Sequence, residues 1–285
     1  MNVDTLQAAA DQGDASAQCA LGNMYATGRG VAKNEARAVQ LCQAAADQGH
    51  AAAQCNLGVM YATGRGVAKN EARAVELFQA AADQGDAGAQ CALGVMYATG
   101  RGVAKDEARA VQLCQAAADQ GYAHAQCFLG VMYATGRGVA KNEARAVELY
   151  QAAADQGDAP AQCNLGVMYA DGRGVAKDEA RAVELCQAAA DQGDAGAQCA
   201  LGVMYATGRG AAKNEARAVE LFQAAAEQGH ATALFNLGNM YRDGRGVAKD
   251  EARAMQLYQA TRARGSPSAT CTRTGTASQR TRRPR

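Results

Sequence analysis

A tyrosine returns every 36 residues, at Tyr25, Tyr61, Tyr97, Tyr133, Tyr169, Tyr205 and Tyr241. The words around it return as well. GVMYATGRGVAKNEARAVELFQAA begins at Gly58 and comes back, lightly edited, at Gly94, Gly130, Gly166 and Gly202. A fixed period of this size constrains the fold more than length does, because each copy must bury its apolar face against its neighbours. Two ordinary globular domains, which 285 residues would otherwise suggest, are thereby set aside. Seven copies occupy residues 13–260, and residues 1–12 read as a half copy holding a second helix only.

One copy, Gly13–Gln48, can be read as physics. Asp14 is an N-cap, its carboxylate placed to accept from the free amides of a helix start. Apolar residues at helical spacing follow to Thr27, and Gly28 ends the helix in the left-handed region. Gly30 gives the turn a second permissive point, and Asn34 caps a second helix that runs to about Gln48. Gly22 and its six equivalents sit inside the first helix, where glycine costs about 1 kcal/mol against alanine. That cost implies a backbone passing too close for a side chain. The fold class is all-α, a solenoid of 36-residue helix-turn-helix repeats.

ASAQCALGNMYATGRGV followed by EARAVQLCQAAADQG resembles the Sel-1-like repeat, a relative of the tetratricopeptide repeat. The resemblance covers all seven copies. It implies a right-handed αα-superhelix acting as a non-enzymatic scaffold or adaptor, with first helices lining a concave groove that holds a protein or peptide.

Copies differ in the first helix at the positions of Ser16, Ala20, Asn23 and Thr27, which project onto one stripe at about 100° per residue. At its centre this stripe reads Ala20, Asn56, Ala92, Phe128, Asn164, Ala200 and Asn236. The asparagines are candidates to bond an extended backbone, with Asn23 and Asn239 beside them. Phe128, with Tyr122 and His124, is the candidate aromatic anchor of an interface. The same stripe also reads as ordinary solvent surface.

Arg29 and its equivalents, one in every GRG turn, could grip an acidic partner. Glu35 and its equivalents stand close by, so local ion pairing and loop bracing is the favoured role. Cys42, Cys114 and Cys186 share a slot with Phe78, Tyr150, Phe222 and Tyr258, which marks a volume to be filled and not a metal ligand. The ten cysteines include no CxxC pair and read as reduced thiols. Cysteine-rich secreted members of the resembled family, some binding β-lactams, imply cysteines at positions that correspond roughly to Gln18 and Ala46, and neither is cysteine here. The resemblance therefore carries neither disulfides nor β-lactam chemistry onto this chain; a cysteine-rich secreted β-lactam-binding or -hydrolysing protein stays as the alternative reading, and a truncated array without its own function is another. His50, His124 and His230 fall at helix starts, and no residues assemble a catalytic set; no enzyme activity and no cofactor is expected.

The net charge of +1 hides seven arginines after Thr261, so the repeats themselves carry −6. Such a body lacks the basic footprint of a nucleic-acid binder. No apolar run nears the roughly 20 residues of a membrane span, and no basic-then-apolar leader opens the sequence. A cytoplasmic protein without nucleic-acid, membrane or metal partners is the expectation. Residues 261–285 read as a basic, disordered tail. TASQRTRR at Thr276–Arg283 back-translates to repeat codons in another frame, which suggests a frame-shifted copy.

Overall fold

A computed structural model describes residues 3–263. Among them are fifteen helices and no strand. They fall into two compact units, divided after Gln156. The first holds α1 (Val3–Asp11), α2 (Ala15–Thr27), α3 (Glu35–Asp47), α4 (Ala51–Thr63), α5 (Glu71–Asp83), α6 (Ala87–Thr99), α7 (Glu107–Asp119), α8 (Ala123–Thr135) and α9 (Glu143–Ala154). The second holds α10 (Ala159–Asp171), α11 (Glu179–Asp191), α12 (Ala195–Thr207), α13 (Glu215–Glu227), α14 (Ala231–Asp243) and α15 (Glu251–Ala263). Within each unit every first helix packs on its own second helix, which packs on the first helix of the next copy. Each unit is an all-α solenoid.

The caps are those the local sequence dictates. Asp14 accepts from the Ala17 amide at 2.6 Å, and Asn34 accepts from the Arg37 amide at 3.0 Å. Gly28 closes α2 at φ 77°, its amide bonded to the Met24 carbonyl. The core repeats with the period: Leu21, Leu57, Leu93 and Leu129 in the first unit are fully buried, as are Leu165, Leu201 and Leu237 in the second. Small alanines between them, such as Ala45, Ala81 and Ala117, let the second helices approach closely.

The mid-helix glycine has a different neighbour from the one expected. A Cβ on Gly58 would lie 2.7 Å from Cε1 of Phe78, and one on Gly22 would lie 2.8 Å from Cys42 Sγ. Backbone is the lesser obstacle, with the Ala38 carbonyl 3.3 Å from a Cβ at Gly22. The glycine therefore makes room for the variable cysteine-or-aromatic slot.

Candidate functional site

The stripe on which copies differ is the candidate site, and its exposure is uneven. In the first unit Ser16, Ala20 and Asn23 are exposed, as is Val59, while Asn56, Ala92 and Phe128 are half-buried. Asn56 Nδ2 donates to Cys19 Sγ at 3.5 Å, in the copy before it. Phe128 packs at the same place two copies later, against the cluster that contains Cys91, Cys114 and Leu129. Part of the proposed anchor is thus spent on holding neighbouring copies together.

Tyr122 is different. It stands where other copies have Asp14, His50 or Asp86, yet makes no capping bond to α8. Its ring remains 39% exposed and tilts against His124 with centroids 6.0 Å apart. The hydroxyl leans back to Gly88, 3.9 Å from where a Cβ would be. Partial burial, helped by Cys91, Cys55 and Asp86 nearby, pushes the phenol above its ordinary range. In the first unit the accessible aromatic surface is therefore centred on Tyr122 and His124.

In the second unit Asn164 and Asn236 are half-buried, and Ala200, 5% exposed, offers little surface. Asn236 Nδ2 lies 4.0 Å from Cys199 Sγ. Asn239 accepts from the Tyr258 hydroxyl at 2.8 Å. Phe235, which stands where the six earlier first helices have cysteine, is 43% exposed and sits 5.7 Å from the Tyr258 ring. Its signal was available: it is the only first-helix copy in which an aromatic replaces that cysteine.

Two ladders, neither on the stripe, join copies in each unit. Arg65 Nε reaches back 30 residues to Glu35 at 3.3 Å, and its Nη2 donates to the Ala26 carbonyl at 3.0 Å. Arg101 and Glu71, and Arg137 and Glu107, repeat the ion pair. Arg209 and Arg245 do so in the second unit with Glu179 and Glu215. The bracing is therefore between copies, whereas the sequence suggested pairing inside one turn. Lys33 shares Glu35 at 2.9 Å, and these bonds hold its carboxyl below the usual range. A Cβ on Gly66 would fall on the Glu35 carbonyl, so the turn of one copy lies on the helix start of the copy before it. On the other edge, Gln84 Nε2 donates to Gln54 Oε1 at 2.8 Å, and Gln54 donates to the Ala46 carbonyl at 3.4 Å.

The thiols sit where volume needs filling. Burial pushes Cys42 up to about 12, and burial with the Asp86 carboxylate pushes Cys55 up to about 12. Cys114 is raised by the adjoining Cys91 sulfur and by burial. Protonated thiols of this kind are poor nucleophiles and poor metal ligands. Among the described residues no group of three His, Cys, Asp or Glu side chains is placed to hold a metal ion. His50 and His230 cap α4 and α14 through Nδ1, at 3.2 and 3.3 Å from the Ala53 and Ala233 amides. No described helix is long and apolar enough to cross a membrane.

Stacked helix pairs, glycine-seated side chains and copy-to-copy ladders define a helical repeat protein of the αα-solenoid class. The Sel1 repeat model matches seven consecutive stretches, residues 15–50, 51–86, 87–122, 123–158, 159–194, 195–230 and 231–266, and the chain belongs to that family. It is similar to c5321, a protective antigen of uropathogenic Escherichia coli strains displaying an SLR fold (35% identity, TM-score 0.71, covering 93% of this chain and 57% of that one). It is similar also to a Sel1 repeat protein from Oxalobacter formigenes (31% identity, TM-score 0.75, covering 86% and 96%). The immunity protein PA5088 from Pseudomonas aeruginosa shares the fold at 24% identity and TM-score 0.53, covering 75% and 82%. The chain thus spans little more than half the length of the E. coli protein. No curated protein matches it.

Proposed function

We propose that this chain is a non-catalytic scaffold that holds a protein or peptide against the exposed stripe of its first helices. In the first unit the contact centres on Tyr122 and His124. One observation carries this reading: Tyr122 abandons the cap that six sister helices keep and presents its ring to solvent instead. A cap is worth about 1 kcal/mol, so its replacement by an exposed aromatic is a local loss that a binding role explains. Family membership supports the scaffold role, since Sel1 repeats generally serve protein interactions. We place the protein in the cytoplasm, where its packed thiols stay reduced.

The test is a pull-down with Tyr122→Ala beside the parent chain. Tyr122 makes no capping bond, so the variant keeps its fold. Recovery of the same partners in the same yield from both chains would exclude the Tyr122 surface. Phe128→Ala is a weaker probe, because its ring also supports the packing around Cys91 and Cys114.

A further inference from the structure

Three copies hold a cysteine in both helices: Cys19 with Cys42, Cys91 with Cys114, and Cys163 with Cys186. The others set an aromatic ring in the second-helix slot. The three pairs share a spacing but not a surrounding, because each first-helix sulfur also meets the copy that follows. Asn56 Nδ2 donates to Cys19 Sγ at 3.5 Å, so that sulfur is bonded across the seam. Cys163 Sγ also lies towards the next copy, 3.7 Å from where a Cβ on Gly196 would be.

Cys91 differs. Phe128 stands after it in the place of Asn56 and has no amide to give. The Cys91 sulfur is bonded instead inside its own copy, to the Cys114 thiol. Both belong to one buried cluster, with Cys91 7% exposed and Cys114 closed off at 0%. Gly94, one turn along α6 from Cys91, lets α7 seat its sulfur there: a Cβ on Gly94 would stand 2.5 Å from Cys114 Sγ. The two thiols are unequal. Their shared bond holds Cys91 below the usual thiol range and raises Cys114, to which burial adds.

We propose that Cys91 and Cys114 are a peroxide-responsive pair that closes to a disulfide between α6 and α7, a reversible staple within the third copy. Cys91 is the thiol attacked first, since it has the greater exposure and the greater thiolate character. It gives its proton to solvent, and its sulfur attacks one oxygen of hydrogen peroxide. The O–O bond breaks, and the departing hydroxide takes up a proton as water. Cys91 is left as a sulfenic acid, a group that condenses with a neighbouring thiol. Cys114 then gives up its proton and forms the S–S bond, while the S–O bond breaks and the hydroxide leaves with that proton as a second water. Two thiols lose two electrons, and one peroxide becomes two waters. The pair is independent of the scaffold reading, which rests on the Tyr122 surface.

The test treats the reduced full chain with peroxide, blocks remaining thiols in denaturant, and maps linkages without reductant. Trypsin and a protease that cuts at aspartate are both needed, because cleavage at Asp119 separates Cys114 from Cys127. Cys91–Cys114 should form first, about tenfold faster than Cys19–Cys42 or Cys163–Cys186. In Cys114→Ala, Cys91 should stop at the sulfenic acid and take up dimedone, a trap for that group. In Cys91→Ala, position 114 should stay unlabelled over the same time. Closure should raise the melting temperature, because it restrains the unfolded chain, and a dithiol reductant should restore the original value. Equal rates at the three pairs, or no Cys91–Cys114 linkage, overturn the proposal. Dimedone on Cys114 at the rate seen for Cys91 overturns the order of attack. Mapping in the parent chain alone decides the matter if either variant fails to fold.

Discussion

Phe78 fills the space beside Gly58, so that a Cβ there would stand 2.7 Å from Cε1 and 2.9 Å from Cδ1 of the ring. The ring is 2% exposed and has nowhere to retreat. Helix propensity alone favours Gly58→Ala by about 1 kcal/mol, whereas overpacking of this kind costs about 1–3 kcal/mol. We expect overpacking to win, so Gly58→Ala should lower the urea midpoint. In a Phe78→Ala background the same substitution should become neutral or favourable, and loss of similar size in both backgrounds would contradict the packing account.

Tyr122→Asp should do two opposite things. Restoring the cap that Asp86 gives α6 should stabilise the chain by about 0.5–1 kcal/mol. The same change removes the exposed ring and should weaken partner recovery. Thermal melts and pull-downs on one preparation read both, and a stabilised variant that binds unchanged would detach Tyr122 from function.

His230 provides a pH signature. Burial lowers its pKa, with Asp194 opposing, and neutral Nδ1 accepts the Ala233 amide. The unfolded chain therefore takes up this proton at a higher pH than the folded one. Its contribution to stability is complete above the unfolded value near 6.5, and is lost as pH falls through the depressed folded value. His230→Asn keeps a capping acceptor and should flatten the dependence of melting temperature on pH between about 7 and 5. An unchanged slope would place the titration elsewhere.

The caps of α2 and α3 were legible because they are local: Asp14, Gly28 and Asn34 act within three or four residues of themselves. The ladder partner of Glu35 was not. Arg29 lies six residues before it and Arg65 thirty after, and both stand in the same GRG word. Identical copies erase the difference between a contact inside a repeat and one between repeats. The half-burial of Phe128 was hidden for a similar reason, since it is set by how the copy before it stacks. The missing cap at Tyr122 was visible in the sequence, but how much of its ring stays exposed is set by packing that no local pattern records.

Arg137 and Glu107 should show coupling that salt weakens. Arg137→Ala and Glu107→Ala are each expected to lower the melting temperature slightly, and the double variant should lose less than their sum. Arg137→Lys should recover only part of the effect, because the guanidinium also donates to the Ala98 carbonyl at 3.2 Å. Additive losses at low salt would mean that the pair contributes nothing.

Thiol chemistry checks the packing. With Cys42 and Cys55 near 12, the thiolate fraction at pH 8 is of order one in ten thousand. Native alkylation should therefore be slow, whereas all ten cysteines should react promptly in denaturant without added reductant. Fewer than ten would reveal disulfides and count against a reducing compartment.

Because Arg101 completes Glu71 and Arg137 completes Glu107, the seams between full copies in the first unit are cut to the same pattern. Removing residues 87–122 would present Arg137 to Glu71 in the place of Arg101, and the joint would close as before. A deletion of any other size would leave an unmatched edge. The first unit can thus be shortened or extended only in whole modules, as interchangeable links.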